Sequence, residues 1–78
     1  MPKLILSHLP GTFYRKPAPD KPPYKQEGDK VAPGDVCGLI EVMKSFHEVL
    51  CEEHGRILRF LVENEAAVQA GDPLAELE

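Results

Sequence analysis

An internal repeat limits the folds open to this 78-residue chain more than any other sequence feature. Residues 31–36, Val-Ala-Pro-Gly-Asp-Val, match residues 68–73, Val-Gln-Ala-Gly-Asp-Pro, thirty-seven positions later. Each copy follows an acidic, turn-prone segment and precedes an apolar segment that ends in Glu. Gly-Asp after a short apolar run predicts a turn with positive φ at the glycine. Two such units predict two similar halves that pack into one sandwich, because two copies are too few for a solenoid.

The segment between the two copies carries a conflicting signal. Its apolar residues have the three- and four-residue spacing of an amphipathic helix over residues 39–51, which would make Lys44 an ordinary solvated lysine. The repeat favours strands instead, because residues 36–41 match residues 73–78, where Pro73 leaves little room for a helix. If residues 39–51 did form the helix, the protein would be a small helical adaptor. The apolar residues concerned are Leu39, Val42, Met43, Phe46, Val49 and Leu50.

Size and charge exclude several classes of protein. A chain of 78 residues makes one small domain with a thin core, which favours a binding or carrier module over an enzyme with a deep cleft. The net charge is −4 and no basic cluster exceeds two residues, so we expect no nucleic-acid partner. The longest apolar run is too short to cross a bilayer, and no secretory signal is recognised. We therefore predict a cytoplasmic protein without a membrane partner.

The two cysteines, Cys37 and Cys51, do not make a disulfide framework. In a reducing cytoplasm we predict that both are free thiols, buried as small apolar side chains. His47 and His54 lie close to Cys51 in sequence, but no paired Cys-x-x-Cys or His-x-x-x-His motif accompanies them. We therefore predict no metal site.

A Pro-rich insert interrupts the first half of the chain at about residues 15–24. Its four prolines exclude a helix and a central strand. The composition fits a flexible linker and an ordered loop equally well. Aromatic side chains that could anchor the base of such a loop bracket the insert: Phe13, Tyr14 and Tyr24.

Three separate features resemble the biotinyl domain of biotin carboxyl carrier proteins of acetyl-CoA carboxylase. The first is Glu41-Val42-Met43-Lys44, which is similar to the family's motif around its modified lysine. The second is Gly11-Thr12-Phe13-Tyr14-Arg15 followed by Pro17-Ala18-Pro19-Asp20, which resembles the start of the family's protruding "thumb" loop. The third is the closing part of the chain: Gly55, Ile57, Val62-Glu63-Asn64, Val68 and Asp72-Pro73-Leu74.

The resemblance implies a fold and its divisions. We expect an all-β, flattened antiparallel barrel-sandwich hybrid with quasi-twofold symmetry, formed by one carrier domain over residues 1–78. A thumb-like insert would occupy about residues 15–24, and the hairpin of the modified lysine about residues 39–50. The resemblance thereby overrules the helical spacing around Lys44.

The resemblance also implies a function and a cofactor. Lys44 would carry covalent biotin, attached by a biotin protein ligase that first activates biotin as biotinyl-AMP. Glu41 and Met43 would contact that ligase, although Met43 is equally suited to partial packing in the core. The carrier would take carboxybiotin from a biotin carboxylase to a carboxyltransferase, and would perform no bond chemistry itself.

Two alternatives share this fold. A lipoyl carrier domain of a 2-oxoacid dehydrogenase complex tends to have Asp before its lysine and to lack the thumb, whereas this chain has Met43 and the Pro-rich insert. An unmodified interaction module is the second alternative. It is suggested by Ser45 and Lys16, which depart from the family pattern after the lysine and within the thumb.

Overall fold

The computed structural model describes residues 3–78, and these residues form eight β-strands and no helix. The eight strands lie in two four-stranded antiparallel sheets, so the predicted all-β, two-sheet fold is confirmed. The described residues contain no helix long and apolar enough to cross a membrane. In chain order the strands are β1 (Lys3–Leu6), β2 (Gly11–Tyr14), β3 (Lys30–Val31), β4 (Val36–Val42), β5 (Ser45–Leu50), β6 (Gly55–Phe60), β7 (Ala66–Val68) and β8 (Pro73–Leu77).

The two sheets are built on the same plan. Their strand orders are β5-β4-β2-β7 and β1-β8-β6-β3. β4 therefore corresponds to β8, β5 to β1, β2 to β6, and β7 to β3. This is the quasi-twofold relation that the sequence repeat predicts, with one difference between the halves. The connection from β2 to β3 spans residues 15–29, whereas the matching connection from β6 to β7 spans only residues 61–65.

The Gly-Asp turns take the same form in both halves. Gly34 and Gly71 have φ values of 93° and 91°, as the sequence predicts. The Asp35 and Asp72 carboxylates each accept a hydrogen bond from the backbone N–H three residues earlier, at 3.0 and 2.8 Å. Each glycine N–H also donates to the carbonyl of the residue just after the neighbouring edge strand, β5 or β1, at 2.8 and 2.7 Å. The repeat thus encodes one turn geometry twice.

The core lies between the sheets, and buried residues tend to alternate with exposed ones along a strand, except where Cys37 and Gly38 in β4, and Leu74 and Ala75 in β8, are buried in succession. In β4, Ile40 is fully buried while its neighbours Leu39 and Glu41 are half-buried on the outer face. Gly38 allows the ring of Phe13 to pack against the backbone of β4, because a Cβ at Gly38 would lie 2.6 Å from Phe13 Cε1. The largest fully buried apolar side chains are Phe13, Ile40, Ile57, Leu74, Leu77, Val49 and Val68.

Cys37 and Cys51 form a disulfide, so the prediction of two free thiols is wrong. Their Cα atoms are 6.5 Å apart, and each residue is only 2% exposed. They meet because β4 and β5 are neighbours, and because the register between these strands shifts between Val36 and Gly38. The bond ties the start of β4 to the residue that follows β5, and so closes the base of this hairpin.

Two further expectations can be compared with the strands. The amphipathic helix over residues 39–51 is wrong, because these residues form most of the β4–β5 hairpin. The apolar, partly β-branched run from Lys3 to Leu9 also predicts a strand from the sequence, but β1 ends at Leu6. Ser7 lies next to the Gly-Asp turn of the second half, and its N–H donates to Asp72 O at 2.8 Å. The first two residues of the expected domain, 1–2, lie outside the described residues.

Candidate functional site

The β4–β5 hairpin presents Met43 and Lys44 at its tip. Val42 pairs with Ser45 across the two strands, so Met43 and Lys44 are the two residues of the loop. Their φ values are 49° and 68°. Positive φ at both loop residues is the feature of type I′ hairpin turns, which favour Asn-Gly because Asn and Gly tolerate positive φ better than other residues do. A Met-Lys turn is therefore a costly choice for folding alone, and such strain often marks a functional position.

The Lys44 side chain is exposed at this tip. The described part of the chain contains two ion pairs, Lys25–Asp35 and Arg59–Glu76, and neither involves Lys44. The Lys44 amine thus extends from a two-residue turn without an acidic partner in residues 3–78. This arrangement suits acylation, because an incoming enzyme can reach the amine without separating it from a carboxylate.

Met43 is 93% exposed, so the alternative of partial core packing is wrong for this side chain. An exposed, flexible thioether beside a presented lysine provides apolar contact area for a partner. Phe46, two residues beyond Lys44, is also 58% exposed. Two large apolar side chains of the hairpin thus lie outside the core and in contact with solvent.

Glu41 lies on the outer face of β4, where it is hydrogen-bonded to Tyr14, which in turn lies against Phe46. Tyr14 Oη donates a hydrogen bond to Glu41 Oε1 at 2.8 Å. The rings of Tyr14 and Phe46 have centroids 6.0 Å apart, with planes tilted by 55°. The hydrogen bond with Glu41 is the main cause that raises the pKa of Tyr14, followed by loss of solvent and by repulsion from acidic neighbours. The phenol therefore stays protonated and remains a donor at neutral pH.

The Pro-rich loop, residues 15–24, begins directly after Tyr14 and is anchored at its base. The backbone N–H of Arg15 donates to Asn64 Oδ1 at 2.7 Å, and the Arg15 guanidinium lies over the Phe60 ring at 4.0 Å. Tyr24 N–H then donates to Arg15 O at 2.9 Å, which closes the loop. These contacts have the form of an ordered loop rather than a flexible linker.

The structure brings together the three residues singled out from the sequence, since Glu41, Met43 and Lys44 all lie in the last part of β4 and its turn. Sequence reasoning missed Tyr14 and Phe46 as neighbours of Glu41. A signal existed for Phe46, because a two-residue turn at Met43-Lys44 pairs residues 41 and 46. No group of three or more His, Cys, Asp or Glu side chains within residues 3–78 is placed to hold a metal ion.

Comparison with known proteins gives a consistent picture. Residues 5–77 match the biotin/lipoyl family, whose description is "Biotin-requiring enzyme". The biotin carboxyl carrier protein of acetyl-CoA carboxylase 2, chloroplastic, of Arabidopsis thaliana is 41% identical over 70 residues, or 90% of this chain and 28% of the relative. The biotin carboxyl carrier protein of acetyl-CoA carboxylase of Chlamydia pneumoniae is also 41% identical over 70 residues, or 90% of this chain and 42% of the relative.

A solved structure resembles the fold over its whole extent. The urea carboxylase of Kluyveromyces lactis superposes with a TM-score of 0.79 at 29% identity, covering 100% of this chain and 6% of that one. The chain thus spans less than half of each of these three proteins. The family model nevertheless covers nearly every described residue, including the hairpin that presents Lys44. The chain belongs to the biotin/lipoyl family.

Proposed function

We propose that this chain is a biotin carboxyl carrier domain and that Lys44 is its biotinylated residue. The observation that carries the proposal is the presentation of Lys44. It occupies a two-residue turn whose other member, Met43, is 93% exposed, and it has no acidic partner within the described residues. Family membership and the named relatives support biotin as the group attached there.

The attachment is an acyl transfer. The Lys44 Nζ attacks the carbonyl carbon of biotinyl-AMP, a C–N amide bond forms, the C–O bond to the phosphate breaks, and AMP leaves. A lysine amine in water is mostly protonated at neutral pH, so the biotin protein ligase must accept the amine's protons. The exposed turn supplies reach, and the ligase supplies activation. Glu41 and Met43 are the proposed contacts for the ligase.

Bound biotin supplies a nitrogen that accepts and releases a carboxyl group, while the protein supplies position. In the proposed cycle the domain visits a biotin carboxylase and then a carboxyltransferase, and it breaks no bond itself. Its contribution is a high local concentration of the carried group near each active site. We also propose that the carrier serves an acetyl-CoA carboxylase. That enzyme is the one named for its Arabidopsis relative, of which the chain spans 28%.

The proposed carrier acts as one domain over residues 1–78, with residues 15–24 as its thumb. The anchored base of that loop supports this role. We place the protein in the cytoplasm, where biotin carboxylases find ATP and bicarbonate. Relatives from Arabidopsis thaliana and Glycine max are named as chloroplastic, which makes the chloroplast the other compartment to consider.

Incubation of the chain with a biotin protein ligase, ATP and biotin tests the assignment. We expect intact mass to rise by one biotin amide, and peptide mapping to place it on Lys44. A Lys44→Arg variant should gain no label, because the guanidinium remains protonated and is a poor nucleophile. A Lys30→Arg variant is the matched control and should be labelled like the unaltered chain.

Three results would contradict the proposal. The first is biotin on Lys30 or another lysine of the folded chain while Lys44 stays unmodified. The second is a chain that takes no biotin but gains one lipoyl group on Lys44 when incubated with a lipoate ligase, ATP and lipoate. The second result would favour the lipoyl carrier. The third, an absence of both adducts, would favour an interaction module that has kept the fold.

A further inference from the structure

The outer face of the sheet β5-β4-β2-β7 carries a cluster that the proposed acyl transfer does not use directly. Phe46 lies opposite Glu41 across β4 and β5. Thr12 lies opposite Glu41 on the other side, and Tyr14 lies opposite Leu39. Tyr14 is therefore diagonal to Glu41. Side chains at diagonal positions of an antiparallel pair are within reach when one of them is aromatic.

Tyr14 uses this position to fix the Glu41 carboxylate. Its hydroxyl donates to Oε1 at 2.8 Å, and its ring packs against Phe46 on the far side of Glu41. Glu41 is thus held by the hydroxyl of Tyr14 from β2, and the Tyr14 ring in turn lies against Phe46 from β5. A half-buried Glu side chain on a strand would otherwise sample several rotamers, and that freedom would be lost on binding a partner.

The second oxygen of Glu41 is left to accept another hydrogen bond. Within residues 3–78 the only side-chain hydrogen bond of this carboxylate is the one from Tyr14, and neither ion pair involves it. Glu41 lies three residues before Lys44 on the same arm of the hairpin. A protein that grips the hairpin to reach the Lys44 amine therefore meets a pre-oriented carboxylate beside an exposed phenyl ring.

We propose that Tyr14 is a positioning residue for the modification of Lys44: its hydroxyl fixes the Glu41 carboxylate to receive a hydrogen-bond donor, such as an arginine or lysine side chain, of the modifying enzyme. This inference rests on the proposed function. It adds a residue that lies 27 positions from Glu41 in sequence and outside the motif around the lysine. Tyr14 is a positioning residue, since its hydroxyl is hydrogen-bonded to Glu41 and acts through that carboxylate.

Steady-state biotinylation kinetics with a biotin protein ligase test the inference. A Tyr14→Phe variant keeps the ring and removes only the hydroxyl. We expect the KM for the carrier to rise about three- to tenfold with kcat unchanged. The reason is that Glu41, without the Tyr14 hydrogen bond, must be ordered when the ligase binds. Ser7→Ala is the matched control, because it also removes one hydroxyl hydrogen bond, that to Leu9 O at 2.6 Å, from a position outside both the Lys44 hairpin and the Pro-rich loop. Its KM should equal that of the unaltered chain.

A double-mutant cycle separates positioning from general destabilisation. Glu41→Gln should raise KM at least as much as Tyr14→Phe, and the double variant should be no worse than Glu41→Gln alone. Additive effects, an unchanged KM for Tyr14→Phe, or a fall in kcat instead of a rise in KM would overturn the inference. If the unaltered chain takes no biotin, the proposed function and this inference both fail. If it is labelled and Tyr14→Phe behaves identically, only the inference fails.

Discussion

Reduction of the Cys37–Cys51 disulfide should lower the free energy of unfolding by about 3 kcal/mol. The two cysteines are separated by 14 positions, and a closed loop of about 15 residues restricts the unfolded chain by roughly this amount. The loop encloses the entire Lys44 hairpin. For a domain of this size each 1 kcal/mol shifts Tm by about 4–8 °C, so we expect Tm to fall by about 12–24 °C.

Guanidinium unfolding followed by circular dichroism measures this effect, with and without a phosphine reductant. Thiol titration of the unfolded protein should count two thiols in the reduced sample and none in the oxidised sample. A double variant, Cys37→Ala with Cys51→Ala, is the control. Its unfolding midpoint in guanidinium should be the same with and without the reductant. The reasoning is refuted if the two thiols of the unaltered chain become titratable while its midpoint stays the same.

Three further perturbations test separate parts of the structure. Gly38→Ala should destabilise the fold by about 1–3 kcal/mol in chemical denaturation, because the new Cβ would lie 2.7 Å from the Tyr14 carbonyl oxygen and closer still to the Phe13 ring; a neutral result would contradict this packing. Met43→Asn should raise the free energy of unfolding by roughly 0.5–1 kcal/mol, because Asn tolerates the positive φ of 49° better than Met. The same variant should be biotinylated more slowly. A less stable variant would contradict the turn geometry. The Ala32 N–H, and then Lys25, hold the pKa of Asp35 below its ordinary value of 3.8, so this carboxylate stabilises the fold above that pH and the contribution is lost as pH falls through the lowered pKa. Asp35→Asn should therefore be less stable than the unaltered chain at pH 6 in urea unfolding, and a gap that persists unchanged at pH 2 would contradict the assignment.

The repeat allowed most of the fold to be predicted, because its residues act locally. Gly34 and Gly71 need positive φ, and Asp35 and Asp72 bond to backbone within their own turns. Such short-range geometry can be recognised from a few letters of sequence. Since each turn joins two strands, two matching turns are enough to define two matching halves.

The helical spacing around Lys44 misled because the hairpin exposes apolar side chains. Met43, Phe46 and Leu50 point to solvent, whereas Ile40 and Val49 enter the core. Periodicity assigns apolar residues to a buried face, whereas here several of them remain exposed on the hairpin. Disagreement between local pattern and fold is expected where function sets the sequence.

The contacts around Glu41 and the disulfide depend on strand pairing and could not be predicted from local sequence. Tyr14 reaches Glu41 only because β2 pairs with β4, and this pairing joins residues from opposite sides of the Pro-rich loop. Cys37 meets Cys51 only because the register of the hairpin shifts near the start of β4. A one-residue slip of either strand would turn these side chains to the opposite face.

In the arrangement of the two matching halves, the Lys44 hairpin and the two ends of the described chain lie beside different strands. β2 begins at Gly11 beside the Lys44 hairpin and ends near Phe60, the end of β6. β6 begins at Gly55 beside Lys3 and Glu78. The hairpin and the paired ends of β1 and β8 therefore lie beside the starts of two different strands, β2 and β6, whose far ends meet where Arg15 lies over Phe60. A polypeptide joined after Glu78 would leave beside Gly55 and not beside Gly11 and the hairpin, so both strands would lie between such a tether and Lys44.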